Sequence, residues 1–544
     1  MITRYKLLTF ALIIGSVLRL WSLGANPSHL FSDEAALGYN AYSILETARD
    51  EHGRLLPVIF KSFGDWKPGL YVYLTVPFIA LLGLTEWAVR LPSALAGIMA
   101  IWLIYLIARD LFKSEKLGGV AALILSLTPW HIHFSRGAWE TNVSLTLVLV
   151  GVFFFLKFVE GRENALLLSA VSFALTLWTY QGAKLSTLIV VALLCVIYKK
   201  PLLKADKITI LKSLAVGILI SIPVFLSFAQ GKTGRLEVFS VFSYRRPEAY
   251  VQNILSQANE NSNSWQYYLY HSEPLSLGRG VLGRWLNHYS GKFLFFEGDE
   301  NLRHHATDTG MLLLLQAPLL VLGFISLFRT KNTRAILSII GWLILAPLPA
   351  ALSRDSSHAV RSYQLVIPIV LICSLGAFYL IENFKTKKLF GLILLFGVTV
   401  NLLYYLDQYY THYPRRDSKA WVYGHKQAVL ELSKYPDKNI IFQQSYNQPY
   451  IFFLFYPKYD PREFQKVSKS AFIEDQLDVG KLTKLENISF KDATLGDLQN
   501  KDTIIVYNPE NPPFPAILTS DPNLEKTEIK RLDNSTAFII LKHK

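Results

Sequence analysis

The sequence predicts a polytopic α-helical membrane protein, with roughly 11–13 transmembrane helices and a small soluble α/β domain at its C-terminal end. Three observations carry this. The 544 residues are 51% hydrophobic and only 18% charged, against about 25% charged in soluble domains, and the mean hydropathy is +0.28. Long apolar runs recur, among them Ile98–Ala108, Val366–Leu375 and Leu389–Leu403. After residue 407 the chain turns charged and rich in turn residues.

The expected spans are 7–24, 92–108, 117–135, 141–159, 164–181, 184–198, 209–229, 308–328, 335–352, 362–382 and 387–406. The first is read as an uncleaved span, because no small-residue cleavage site follows it. Basic residues cluster at Arg4/Lys6, Arg109/Lys113/Lys116, Lys157/Arg162, Lys199/Lys200/Lys204/Lys207, Arg329/Lys331/Arg334 and Lys385/Lys387/Lys388. They fall on one side, which the positive-inside rule makes the cytoplasm. That distribution accounts for the net charge of +14 without nucleic acid. Residues 68–84 are apolar enough to span, but a full crossing would move the basic loops outside. They are therefore read as juxtamembrane or re-entrant. Cys195 and Cys373 lie inside apolar segments and are read as inert core thiols.

This topology puts the polar loops 25–67, 131–141, 180–184, 230–306 and 353–361 on the outer face. The loop 230–306 alternates aromatic patches with polar residues and predicts short helices at the membrane surface. Residues 1–406 form the membrane domain. Residues 407–544 form an extracytoplasmic α/β domain, with a helix over Ser418–Leu432 and strands over Asn439–Gln443, Tyr450–Phe455, Thr503–Tyr507 and Ala537–Leu541.

The first outer loop holds adjacent carboxylates, Asp33 and Glu34, at the start of an amphipathic pattern through Leu37, Ala41, Ile44, Leu45 and Ala48. Ser32 is placed to cap that helix. Acids at a helix start commonly do no more than complement its dipole. Here, however, the same face gathers Lys67, His131, His133, Arg136, Glu140, Lys184, His304, His305, Arg354, His358 and Arg361. Charged groups at the edge of apolar spans are expensive and usually functional. There is no Walker pattern and no GxGxxG opening a helix. An outward-facing membrane enzyme without a nucleotide site needs an activated substrate already in the lipid, and a lipid-linked phosphosugar meets that need. A carboxylate would take the proton of an acceptor hydroxyl. Cationic side chains would stabilise the departing phosphate. Asp33 with Lys67, Arg136 and Arg354 or Arg361 supplies that set. Side chains one residue apart on a helix diverge by about 100°, so Glu34 is a supporting group beside Asp33. Arg354, His358 and Arg361 would share a face if their turn is helical.

The order Asp33-Glu34-Ala35 with Tyr39 and Ala41, then Lys67-Pro68-Gly69-Leu70-Tyr71, then Arg90 through Gly97 resembles the protein O-mannosyltransferase and aminoarabinose transferase superfamily (ArnT-like, glycosyltransferase family 39). The pattern from Pro129-Trp130-His131 to Ser135-Arg136 resembles it as well. The resemblance covers about residues 1–405. It implies the GT-C fold, Asp33 as catalytic base with Glu34 beside it, and Lys67 near the donor phosphate. Where the family usually has a second proline after Lys-Pro, Gly69 stands here. The repeat domain of the eukaryotic protein mannosyltransferases is absent. Arg136, Arg354 and Arg361 are expected at the donor phosphate, and Tyr39, His133, His304 and His358 at the substrate. A divalent cation on Asp33, Glu34 and histidines would be chemically reasonable, but no spacing requires one, and neither a metal nor another cofactor is assigned. The expected partners are a polyprenyl-phosphate sugar, membrane lipid and a glycan, lipid or protein acceptor. The rival readings are a flippase for lipid-linked sugars, which would show inverted repeats, and a non-catalytic envelope assembly protein.

Overall fold

The computed structural model describes residues 5–63, 65–232, 240–243, 245–383, 387–444, 448–473, 481–515 and 521–544. Arg4 and Lys385 of the basic clusters lie outside the described residues. The chain begins with α1 (Lys6–Leu20) and α2 (Ser32–Thr47), followed by a hairpin of β1 (Ile59–Ser62) and β2 (Asp65–Pro68). Next come α3 (Leu70–Leu82), α4 (Glu86–Phe112), α5 (Glu115–Leu127), α6 (Pro129–Phe134), α7 (Glu140–Val159), α8 (Ala165–Thr176), α9 (Ala183–Ile197), α10 (Lys199–Lys204) and α11 (Lys207–Ala229). Helices over Glu248–Ala258 and Glu273–Asn287 occupy the long loop. Gln316–Arg329, Thr333–Leu345, Val366–Asn383 and Lys387–Asp407 complete the helical part.

Among the described residues, five helices are long and apolar enough to cross a membrane: α4, α7, α11, Thr333–Ala351 and Tyr363–Glu382. α11 leaves Leu211, Leu214, Ile218, Leu219 and Phe225 exposed, a surface that lipid rather than water would cover. The expected span 117–135 is broken, because Pro129 starts a new helix after the extended Thr128. The expected span 308–328 becomes helical only at Gln316. α3 has 13 residues, about 20 Å at 1.5 Å per residue, against a hydrocarbon core of about 30 Å. Gln316–Arg329 and Val366–Asn383 pack at backbone contact. A Cβ on Gly323 would lie 2.0 Å from the Ile372 carbonyl oxygen, and one on Gly376 would lie 2.0 Å from that of Leu319.

The C-terminal part contains β3 (Asn439–Phe442), β4 (Phe472–Ile473), β5 (Lys481–Leu482), β6 (Lys484–Leu485), β7 (Ile488–Phe490), β8 (Thr503–Tyr507), β9 (Leu524–Lys530) and β10 (Thr536–His543). Six of these form one sheet in the order β6-β7-β3-β8-β10-β9. β3 runs parallel to β7 and β8, and β10 antiparallel to β8 and β9. Two expectations fail here. Tyr450–Phe455 is a helix with all six residues buried. The helix expected over Ser418–Leu432 runs only from His425, because Gly424 has a φ of +115°.

This part sits on α2. The Gln465 amide donates to Ser43 Oγ (3.1 Å) and Thr47 Oγ1 (3.0 Å). The Lys426 N–H donates to His29 Nε2 (3.2 Å), and its ammonium pairs with Glu86 at 2.6 Å. α2 is therefore covered on both sides, by membrane-domain helices and by the C-terminal domain.

Candidate active site

α2 starts one residue earlier than Ser32 capping would require. Phe31 is the N-cap in extended conformation and Ser32 is inside the helix. The orphan N–H of Phe31 donates to Glu34 Oε2 at 3.1 Å. Glu34 also accepts from the Ala138 N–H at 2.7 Å and from Arg90 Nε (3.1 Å) and Nη2 (3.0 Å). Arg90, fully buried, donates further to the carbonyls of Leu23 (3.0 Å), Pro27 (2.9 Å) and His29 (2.7 Å). Glu34 thus ties the start of α2 to α4 and to the loop after α6. All these partners are structural, so Glu34 supports the frame around Asp33 and does not stand beside the reacting atoms.

Asp33 points about 100° away around the helix and its side chain is half exposed. Its carboxylate pairs with Lys67 Nζ. Lys67 stands on β2 opposite Phe60. Gly69 explains why a second proline is missing here. A Cβ at Gly69 would lie 2.3 Å from the Phe60 ring, and the Gly69 N–H donates to the Val58 carbonyl at 2.9 Å, a bond proline cannot make. The loop after α8 braces the hairpin, with the Gln181 amide donating to the Trp66 carbonyl (2.8 Å) and the Leu70 N–H to that of Trp178 (2.8 Å).

Asp33, Asn40, Phe60, Ser62, Lys67 and Glu140 line one small cavity. Ser62 Oγ is buried there with no hydrogen-bond partner among the described residues. Burial acts to lower the Lys67 pKa, but the carboxylates of Asp33 and Glu140 outweigh it, and the ammonium is held above the ordinary lysine value. The site is acidic enough to keep Lys67 charged.

Two residues join this site that sequence reasoning did not assign to it. In the sequence Glu140 is one outer-face acid among several, and its place at the first turn of α7 brings it beside Lys67. Arg303 lies 3.6 Å over the Phe31 ring. Burial lowers its pKa, and Asp33 is the foremost charge opposing that shift. Its place in the Asn301–His305 run was the only available signal.

Most of the other expected ligands lie elsewhere. Arg136 is fully buried and donates to the carbonyls of Leu18 (2.8 Å), Trp21 (2.7 Å) and Asn26 (3.0 Å) and to the Tyr409 hydroxyl (3.2 Å). It stitches α1 and its following loop to α6, so the expected phosphate contact is corrected. His133 Nε2 donates to the Arg303 carbonyl at 2.7 Å and its ring packs against Tyr409 and Tyr413, which makes it a support for Arg303 rather than a substrate contact. Tyr39 is buried and donates to the Tyr459 carbonyl at 3.1 Å, fastening α2 to the C-terminal domain. His304 and His358 form a second group with Asp299. Arg361 pairs with Asp355 and lines a separate small cavity with Tyr180 and Thr141, next in sequence to Glu140. Arg354 is exposed. Residues 353–361 form bends and turns, so Arg354, His358 and Arg361 share no helix face. The structure therefore brings together Asp33 and Lys67 of the expected set, adds Glu140 and Arg303, and moves Glu34 into the supporting frame.

Residues 67–226 match the family model described as dolichyl-phosphate-mannose-protein mannosyltransferase. A curated relative, a putative mannosyltransferase YycA of Bacillus subtilis (strain 168), is 24% identical over 151 residues, 27% of this chain. The match spans only 21% of that relative's length. The crystal structure of ArnT from Cupriavidus metallidurans bound to undecaprenyl phosphate is similar with a TM-score of 0.55 and 14% identity, covering 99% of this chain and 98% of that one. Its apo state is similar with the same TM-score, 13% identity, and 98% and 97% coverage. The helical membrane part and the C-terminal sheet thus share the fold of the ArnT structures over nearly the whole chain, and the segment that begins at Lys67 matches the mannosyltransferase family model.

Proposed function

We propose that the protein is a multi-pass, inverting membrane glycosyltransferase. It moves a sugar from a polyprenyl-phosphate carrier to an acceptor hydroxyl on the extracytoplasmic face. The observation that carries this reading is the Asp33–Lys67 pair at one cavity with Glu140, beside Arg303. The ArnT relative was crystallised with undecaprenyl phosphate, which supports a lipid phosphate as the donor's carrier. The basic clusters support the outward placement of this site and of the C-terminal domain.

Before the donor binds, Asp33 and Lys67 neutralise each other. A donor phosphate competes for Lys67 and for the Arg303 guanidinium, and so releases the Asp33 carboxylate. Asp33 then takes the proton of the acceptor hydroxyl as its oxygen bonds to the anomeric carbon. The bond from that carbon to the phosphate oxygen breaks on the opposite face, which inverts the configuration. The phosphate leaves with one additional negative charge, held by Lys67 and Arg303. No general acid is required, because phosphate departs unprotonated. Glu140 and the Ser62 hydroxyl, which line the same cavity, are positioned to bond sugar hydroxyls.

The test is transfer from a synthetic polyprenyl-phosphate hexose in proteoliposomes, with cell-surface glycan and glycolipid mass spectrometry to find the acceptor. Asp33→Asn should abolish transfer. Retained transfer at the normal rate would sink the mechanism, and lipid-sugar flipping unaffected by Asp33→Asn would favour a flippase.

A further inference from the structure

Away from Asp33, a second cluster of ligating side chains joins two loops. We propose that Asp299, His304 and His358 bind one divalent transition-metal ion of the zinc type, which fastens the loop carrying Arg303 to the loop over residues 353–361. The site lies outside the transfer chemistry and does not depend on the function proposed above.

One ligand atom from each of the three residues lies within 4.8 Å of the others. Zinc sits about 2.0–2.2 Å from imidazole nitrogen and carboxylate oxygen, so a closure of about an ångström by each side chain completes the shell. His304 Nδ1 and Asp299 Oδ2 are already 2.6 Å apart and share a proton. The same two atoms can share a metal when His304 takes its other neutral tautomer. Two histidines and one carboxylate suit zinc, cobalt or ferrous iron, with further positions left for water.

The surroundings are those of a built site. Asp299 and His304 are buried, at 7% and 3% exposure. Asp299 Oδ2 accepts from the Ala359 N–H (2.8 Å) and Oδ1 from the Asn301 N–H (3.0 Å). Such outer bonds orient a ligating carboxylate. The His358 N–H is fixed on His288 Nε2 at 3.1 Å. The His358 ring itself is held weakly: Nδ1 accepts a long 3.3 Å bond from the Arg361 N–H, and Nε2 lies 3.9 Å from Asp355. Neither contact would hold the ring against a metal bond. The His304 and His358 ring centroids are 5.1 Å apart, so the small rotation needed is local.

The loop over residues 297–306 contains no helix or strand, so a metal crosslink has much to order. Arg303 is adjacent to His304, and its carbonyl is already tied to His133. On the function proposed above, the ion is a positioning device for Arg303.

The test uses the full-length, tag-free protein in detergent. It is stripped with a chelator, re-equilibrated with cobalt(II) or zinc(II), desalted and analysed for metal. The expectation is about one equivalent per chain, a visible cobalt d–d spectrum from nitrogen and oxygen ligands, and a melting temperature several degrees higher in zinc than in chelator. His304→Gln and His358→Gln should each lose the bound metal and the zinc-dependent shift. If the wild-type protein retains no metal above the background of the double variant, the site is refuted. If the variants fail to fold, the wild-type comparison decides alone, and identical melting in zinc and in chelator overturns the proposal.

Discussion

Asp33 and Glu34 are neighbours in sequence, and their substitution should have opposite consequences. Glu34→Ala removes the carboxylate that Arg90 meets at 3.0 and 3.1 Å. It leaves a fully buried guanidinium with only three carbonyls, and it orphans the N–H groups of Phe31 and Ala138. Breaking a buried ion pair from one side costs about 3–5 kcal/mol. Two backbone donors left without acceptors place this case at the upper end. A shift of about 2–4 °C per kcal/mol, as in large domains, translates this into roughly 10–20 °C. Asp33→Asn is isosteric, and its side chain is half exposed, so the melting temperature should move by less than about 2 °C. The transfer rate should nevertheless fall by about two to four orders of magnitude, because the base is gone. The assay pairs thermal unfolding in detergent with initial rates in proteoliposomes for each variant. The reasoning is refuted if Glu34→Ala melts with the wild type, or if Asp33→Asn turns over normally.

Further outcomes follow from the same geometry. Lys67→Ala should raise the donor KM at least tenfold, by loss of a charge-assisted phosphate contact, with little change in acceptor KM; initial rates across donor concentration measure this, and unchanged donor dependence counts against a phosphate role. Burial raises the Glu51 carboxyl from 4.5 to about 8. Between those values the folded state holds a proton that the unfolded state has released, so stability is fully present below about pH 4.5 and falls as pH rises towards 8. Glu51→Gln should remove that slope and raise the melting temperature at pH 9, as pH-resolved unfolding would report. Gly323→Val should destabilise by at least about 2 kcal/mol, because its Cβ meets the Ile372 carbonyl oxygen at 2.0 Å, seen as a lower melting temperature with donor KM unchanged in whatever protein folds.

The helical membrane part was legible because apolar runs of this length have no other stable home. Their ends were less so. Hydropathy does not register that Pro129 restarts a helix, or that residues 308–315 stay irregular ahead of Gln316. Tyr450–Phe455 is apolar throughout, and an unbroken apolar run carries neither a period of two nor one of 3.6. Burial of all six side chains between the sheet and α2 decided for helix. Glu140 and Arg303 stayed unassigned because nothing in their local sequence separates a site acid or a site arginine from an interfacial one.

The sequence by itself determined the membrane class and the superfamily resemblance, and it put forward a boundary near residue 407 and Asp33 and Lys67 as the residues to watch. A one-residue step on a helix even foretold that Asp33 and Glu34 diverge. Only the tertiary structure decided which partner each would meet. Glu34 turned to the buried Arg90, and Asp33 to Lys67 across the hairpin. It also drew Arg136, His133 and Tyr39 into the frame, because the Arg136 guanidinium, His133 Nε2 and the Tyr39 hydroxyl are engaged by carbonyls 100 or more residues away in sequence. A side chain's chemistry is local, but its hydrogen-bond partners are chosen by the packing of distant segments, and burial makes that choice binding.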